Sequence, residues 1–75
     1  MKKITLEADF SNPFSIETIF KVVGTADSGE ISQAMLALIQ RIIYEWLQGG
    51  METKDCYNLI LFAARKAEEL YNGER

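Results

Sequence analysis

The sequence of 75 residues contains no histidine, one cysteine and one proline. Histidine is the side chain that most often serves as a general acid or base and as a nitrogen ligand to zinc. The single thiol, Cys56, cannot form a disulfide within the chain and cannot complete a zinc site alone. We therefore predict that the protein is not an enzyme and has no catalytic residue, no metal site and no cofactor.

The few side chains that could act in catalysis, one thiol and two pairs of carboxylates, fit structural roles. Cys56 falls in the first turn of a predicted helix, beside its apolar face, and no histidine can act as its base, so a buried and unreactive thiol is the favoured interpretation. The carboxylates of Asp27 and Glu30 fit a helix cap. Those of Glu68 and Glu69 fit a solvated helix face that also carries basic residues.

Positive charge is scarce as well: eight Lys and Arg stand against eleven Asp and Glu, a net charge of −3. Binding to a phosphate backbone needs a clustered positive face, so we do not expect nucleic acid as a partner. No apolar run approaches the roughly 20 residues that span a bilayer. Alternating polar residues after Met1-Lys2-Lys3 do not form the apolar segment of a signal peptide. We expect a cytoplasmic protein without membrane contact.

The first patterned segment of the chain has the alternation of a strand. From Lys3 to Phe10 apolar and polar residues alternate, which predicts a strand with one buried face. That face consists of Ile4, Leu6, Ala8 and Phe10. The Ser11-Asn12-Pro13 segment then ends the pattern.

The segment Ser15 to Val23 fits two templates. As a helix it has Ser15 as N-cap, a Phe14 to Ile19 hydrophobic staple and Gly24 as its end, and we favour this reading because the three signals agree. As a strand it aligns alternate residues on one side and uses its β-branched residues well. The aligned residues are Phe14, Ile16, Thr18, Phe20 and Val22.

Two long helices follow. The first runs from about Ser28 to Gln48, with Asp27 and Glu30 as a capping box and Gly49-Gly50 after its end. The second runs from Lys54 to about Asn72 and is capped by Thr53. The sequence thus predicts one α+β domain over residues 1–75, mostly helical, with a strand, a short helix and a long antiparallel helical hairpin. A β-hairpin plus two helices is the alternative.

The first long helix carries an unusually wide apolar arc of roughly 180°. Such an arc needs partners on two sides, and we favour a contact with another chain through Leu36, Ile43, Trp46 and Leu47. The alternative is the central helix of a compact domain, enclosed by its neighbours. The whole arc contains Ile31, Met35, Leu36, Leu38, Ile39, Ile42, Ile43, Trp46 and Leu47.

Phe62 falls within the polar sector of the last helix, with Leu61 as its companion. It is either covered by another element or exposed as an anchor for a partner, since aromatic residues are enriched at interface hot spots. Arg41 and Tyr44 form a weaker candidate ligand site, in which a guanidinium and a ring could hold an anionic molecule. A core Trp46 with surface Arg41 and Tyr44 is the simpler interpretation.

A chain of this length seldom gains more than about 3–5 kcal/mol from one core, and it has no disulfide or metal to support it. We therefore expect a homo-oligomer, with a dimer favoured. The sequence predicts a small interaction or regulatory protein that binds and modulates a protein partner, of the kind found among phage and mobile-element accessory proteins. The alternative is a module that binds a small nucleotide-type ligand at a subunit interface.

Overall fold

The computed structural model describes residues 1–74, which form two strands followed by two helices. Strand β1 spans Lys3–Asp9, β2 Glu17–Val23, helix α1 Ser28–Gln48 and α2 Thr53–Gly73. Helices take 57% of the described residues and strands 19%, which confirms the predicted mostly helical α+β class. The chain divides into two compact units, Met1–Leu38 and Ile39–Arg75.

The short helix predicted over Ser15 to Val23 is wrong, and the alternative strand is present. β2 pairs antiparallel with β1, so Gly24 ends a strand and Ser15 caps no helix. The register places Ile4 opposite Val22 and Leu6 opposite Phe20. An unpaired β1 would leave its backbone donors and acceptors without partners, and this local pairing satisfies one edge of the strand.

The connection between the strands is held by side chains that bond to nearby backbone. Asp9 Oδ1 accepts hydrogen bonds from the Ser11 N–H (2.9 Å) and the Ser11 hydroxyl (2.7 Å). Asn12 Oδ1 accepts one from the Phe14 N–H (3.0 Å). Short Asp and Asn side chains favour such turns, which explains why the pattern breaks after β1.

Helix α1 begins and ends as predicted. The Glu30 N–H donates to Asp27 Oδ1 (2.8 Å) and the Asp27 N–H donates to Glu30 Oε1 (3.3 Å), which confirms the capping box. At its end the Met51 N–H bonds to the Trp46 carbonyl and the Gly50 N–H to the Leu47 carbonyl. Gly50 has φ of +97°, as the C-terminal glycine of this motif requires.

Helix α2 is longer by one residue at each end than predicted, and its predicted cap is wrong. Thr53 is the first helical residue, and Glu52 occupies the N-cap position without a side-chain hydrogen bond. The Glu52 carbonyl instead accepts from the Asp55 and Cys56 N–H groups. The first turn of α2 is thus held by backbone alone.

Candidate interaction surfaces

One face of the β-hairpin is apolar along its length. Residues opposite each other in antiparallel strands point to the same side, so the pairs Ile4–Val22, Leu6–Phe20 and Ala8–Thr18 share one face. We call these six residues the hairpin face. At its base, Ile4 and Val22 line a small cavity with Ala26, Ile31 and Ala34. The start of α1 therefore lies beside the first pair of the hairpin face, in which Ile4 is half-buried and Val22 is exposed.

Beyond this first pair the hairpin face is open to solvent. Leu6 is 51% exposed and Phe20 49%, while Phe10 and Ile16 near the connection are more exposed still. The predicted buried face of β1 is therefore wrong beyond Ile4. Residues 24–27 return the chain at the base of the β-hairpin, so α1 begins next to the first pair.

The apolar arc of α1 is covered in part. Ile31, Leu38, Ile43 and Trp46 are half-buried. The exposed members are Met35, Leu36, Ile39, Ile42 and Leu47. The chain does not enclose the arc, and two of the four residues predicted to meet another chain, Leu36 and Leu47, are exposed while the other two are half-buried.

Burial in the second unit is concentrated around the connection between the helices. Cys56 is fully buried and free, as predicted, while Met51 and Ile60 are half-buried. Every residue from 61 to 74 is exposed, although 61–73 are helical. We call this segment the open part of α2.

Phe62 and Leu61 lie in the open part of α2. Phe62 is 59% exposed and Leu61 51%. The Lys66 ammonium lies 5.6 Å from the centre of the Phe62 ring and 3.5 Å from a carboxylate oxygen of Glu69. The ring of Phe62 is therefore exposed, and its role as an anchor for a partner stays a prediction.

Arg41 and Tyr44 are brought together on the surface of α1. The guanidinium carbon lies 5.2 Å from the ring centre, and Arg41 also pairs with Glu45 at 2.6 Å. Gln48 Nε2 donates a hydrogen bond to the Tyr44 hydroxyl (2.6 Å). The Arg41 guanidinium thus already pairs with Glu45 and the Tyr44 hydroxyl with Gln48, each one helical turn away. A ligand role for Arg41 and Tyr44 stays a prediction.

The electrostatics of these surfaces come from solvent-exposed charges. Four ion pairs among residues 1–74, such as Lys2 with Glu30 at 2.6 Å, join side chains that are at least 41% exposed. The two hydrogen bonds from Ser11 lower the pKa of Asp9 below its ordinary value of 3.8. Exposed ion pairs add little stability, and residues 1–74 hold no cluster of metal-ligating side chains. Binding to these surfaces would therefore depend mainly on burial of their apolar side chains.

Comparison with known proteins finds no match to a family model, to a curated protein or to a solved structure. Within residues 1–74, neither helix is long and apolar enough to cross a bilayer.

The exposed part of the hairpin face is a candidate interaction site that was not predicted from the sequence. Leu6 was expected in a core and, in the favoured interpretation, Phe20 in a helix. The alternation in both segments was a usable signal. Two alternating strands in one short chain present an apolar face that the first turns of one helix cannot cover completely.

Proposed function

We propose that this protein is a small non-enzymatic interaction protein that assembles with copies of itself and binds a protein partner through its exposed apolar surfaces. The observation that carries the proposal is the open part of α2. Isolated helices of this length are marginal in water, and most helical stability in proteins comes from packing of an apolar face. A helical segment whose large apolar residues Leu61, Phe62 and Leu70 are exposed therefore favours an external partner.

Exposed apolar side chains in each unit support the same proposal. Leu6 is 51% and Phe20 49% exposed in the first unit, and Phe62 is 59% and Leu70 69% exposed in the second. Groups of exposed apolar side chains on a small protein mark interaction sites.

Phe62 is the residue that we assign to the partner contact. Aromatic side chains contribute large contact area at small entropic cost and dominate interface energetics. The Lys66 ammonium above its ring and the Glu69 carboxylate beside it form a charged rim. An exposed aromatic ring within such a rim resembles the anchor of a regulatory contact. The predicted phage or mobile-element origin stays a prediction.

The first experiment measures the mass of the protein in solution. We expect light scattering at high micromolar concentration to give a mass above 8.5 kDa. The tagged protein is then used to capture its partner from the native host. A chain that stays monomeric and captures nothing would overturn the proposed function.

The second experiment separates binding from folding. Phe62→Ala should weaken partner capture by about ten-fold or more, because truncation of an anchor costs 2 kcal/mol or more. Asn58→Ala, also exposed on α2, is the matched control and should leave capture unchanged. Both variants should unfold within about 0.5 kcal/mol of the wild-type protein. Equal capture by the two variants would remove Phe62 from the proposal.

A further inference from the structure

The outer edge of β1 has no partner strand in the described chain. The sheet consists of β1 and β2 alone, and β1 pairs with β2 on one side only. Neither strand contains proline, and the connection with Pro13 lies outside both. An open strand edge presents a row of backbone donors and acceptors that can pair with another strand.

The sequence of β1 complements itself when a second copy runs antiparallel to it. With Leu6 opposite its own copy, Lys3 lies opposite Asp9 at both ends of the pairing. Thr5 then lies opposite Glu7, and Ile4 opposite Ala8. All seven residues of β1 pair in this register, with polar residues on one side and apolar residues on the other.

The edge of β2 lacks this property. Centred on Phe20, its antiparallel self-pairing places Glu17 opposite Val23 and Ile19 opposite Lys21. Only a shifted register brings Glu17 opposite Lys21, and that register leaves Val22 and Val23 unpaired. Opposite charges across strands stabilise a pairing, so β1 is the better edge for a second copy.

We propose that two copies of this chain join through β1, antiparallel about a two-fold axis at Leu6, into a four-stranded sheet of order β2-β1-β1-β2. This inference rests on the proposed self-assembly and names its surface. The second copy satisfies the open backbone edge, pairs Lys3 with Asp9 twice and unites two hairpin faces into one apolar surface.

The contacts of Lys3 and Asp9 within one chain leave both available. Lys3 forms no ion pair with any residue from 1 to 74. The two hydrogen bonds from Ser11 both go to Asp9 Oδ1, so Oδ2 can accept from a further donor. Asp9 is exposed, and the lysine of a second copy can reach it from solvent.

Disulfide cross-linking tests the position of the axis. In a Cys56→Ala background, which removes the native thiol, Leu6→Cys should form a covalent dimer on mild oxidation. Directly opposite Cα atoms in antiparallel strands are about 4.5–5.5 Å apart, within the range of a disulfide. Phe20→Cys is the control on the same face. Its two copies would be three strand spacings apart, about 14 Å, and should stay unlinked.

Charge reversal tests the register without a cross-link. Lys3→Asp alone should weaken dimerisation about ten-fold in sedimentation equilibrium, because like charges then meet at both ends. Adding Asp9→Lys should restore the wild-type dissociation constant. Lys21→Asp makes the same charge change on β2 and should leave dimerisation unchanged. Circular dichroism verifies that each variant is folded.

The outcomes distinguish this inference from the proposed function. An oligomeric protein in which Leu6→Cys does not cross-link, or in which the double charge swap fails to restore dimerisation, overturns the β1 pairing and leaves self-assembly standing. A monomeric protein overturns both the pairing and self-assembly. A monomer that captures a host protein and loses it on Lys3→Asp would show that the edge takes a foreign strand instead of a second copy.

Discussion

The two compact units bury their residues in different ways. In the unit Met1–Leu38, β1 and β2 satisfy their backbone by pairing with each other, and burial is partial throughout. In the unit from Ile39 onwards, the second half of α1 and the whole of α2 satisfy their backbone within each helix, and Cys56 is fully buried. The first unit therefore exposes apolar side chains together with a backbone edge, whereas the second exposes side chains alone.

Each unit therefore suits a different kind of partner. A helix closes its own hydrogen bonds and offers only a side-chain surface, so the open part of α2 suits a partner that buries aromatic and aliphatic groups. A strand edge requires another strand in a fixed register.

The largest predicted effect compares the glycines that end an element in each unit. Gly24 and Gly50 both have positive φ, but a Cβ at Gly24 would lie 2.1 Å from the Met1 carbonyl oxygen, whereas one at Gly50 meets nothing within 4 Å. Gly24→Ala should lower the free energy of unfolding by about 3 kcal/mol and Gly50→Ala by about 1 kcal/mol. Urea denaturation measures both. Equal losses would mean that Met1 moves aside without cost.

A smaller effect compares the starts of the two helices. Asp27→Ala removes the side-chain cap of α1 and should lower the free energy of unfolding by about 1 kcal/mol. Glu52→Ala changes the N-cap residue of α2, whose side chain makes no cap hydrogen bond, and should change stability by less than about 0.5 kcal/mol. Thermal denaturation of the two variants checks the difference. A reversed order would show that α2 depends on its cap more than α1 does.

The smallest effect is the titration of Asp9. The hydrogen bonds from Ser11 favour its ionised form, while Glu17 lies opposite it in the register. A pKa lowered by folding stabilises the folded state above the unfolded value near 3.8, and this contribution is lost as the pH falls through the folded pKa. Carboxyl chemical shifts should give a midpoint below 3.8 in the wild-type protein. Ser11→Ala should raise that midpoint, and an unchanged midpoint would contradict the assignment.

Local signals predicted the elements whose evidence lies within a few residues. The capping box of Asp27 and Glu30 and the glycines after Gln48 fixed α1, because caps and C-terminal glycines act over one helical turn. The prediction of Thr53 as the N-cap of α2 is wrong by one position. Threonine can also be accommodated as the first residue of a helix, and here it takes that place. The sequence left two alternatives for Leu36 and Phe62, coverage within the chain or exposure. A pattern of apolar residues does not indicate which other residues pack against them.

The pattern of residues along the chain was enough to predict the mostly helical α+β class, with β1 and two long helices at nearly their observed bounds. Tertiary structure decided the state of residues 17–23, whose β-branched and apolar residues suit both a helix and a strand. The edge of β1 was available for pairing, and hydrogen bonds between the two strands outweighed a cap and staple that act within one helical turn. Tertiary structure also decided which apolar residues stay exposed, because covering them depends on where α1 begins and α2 extends.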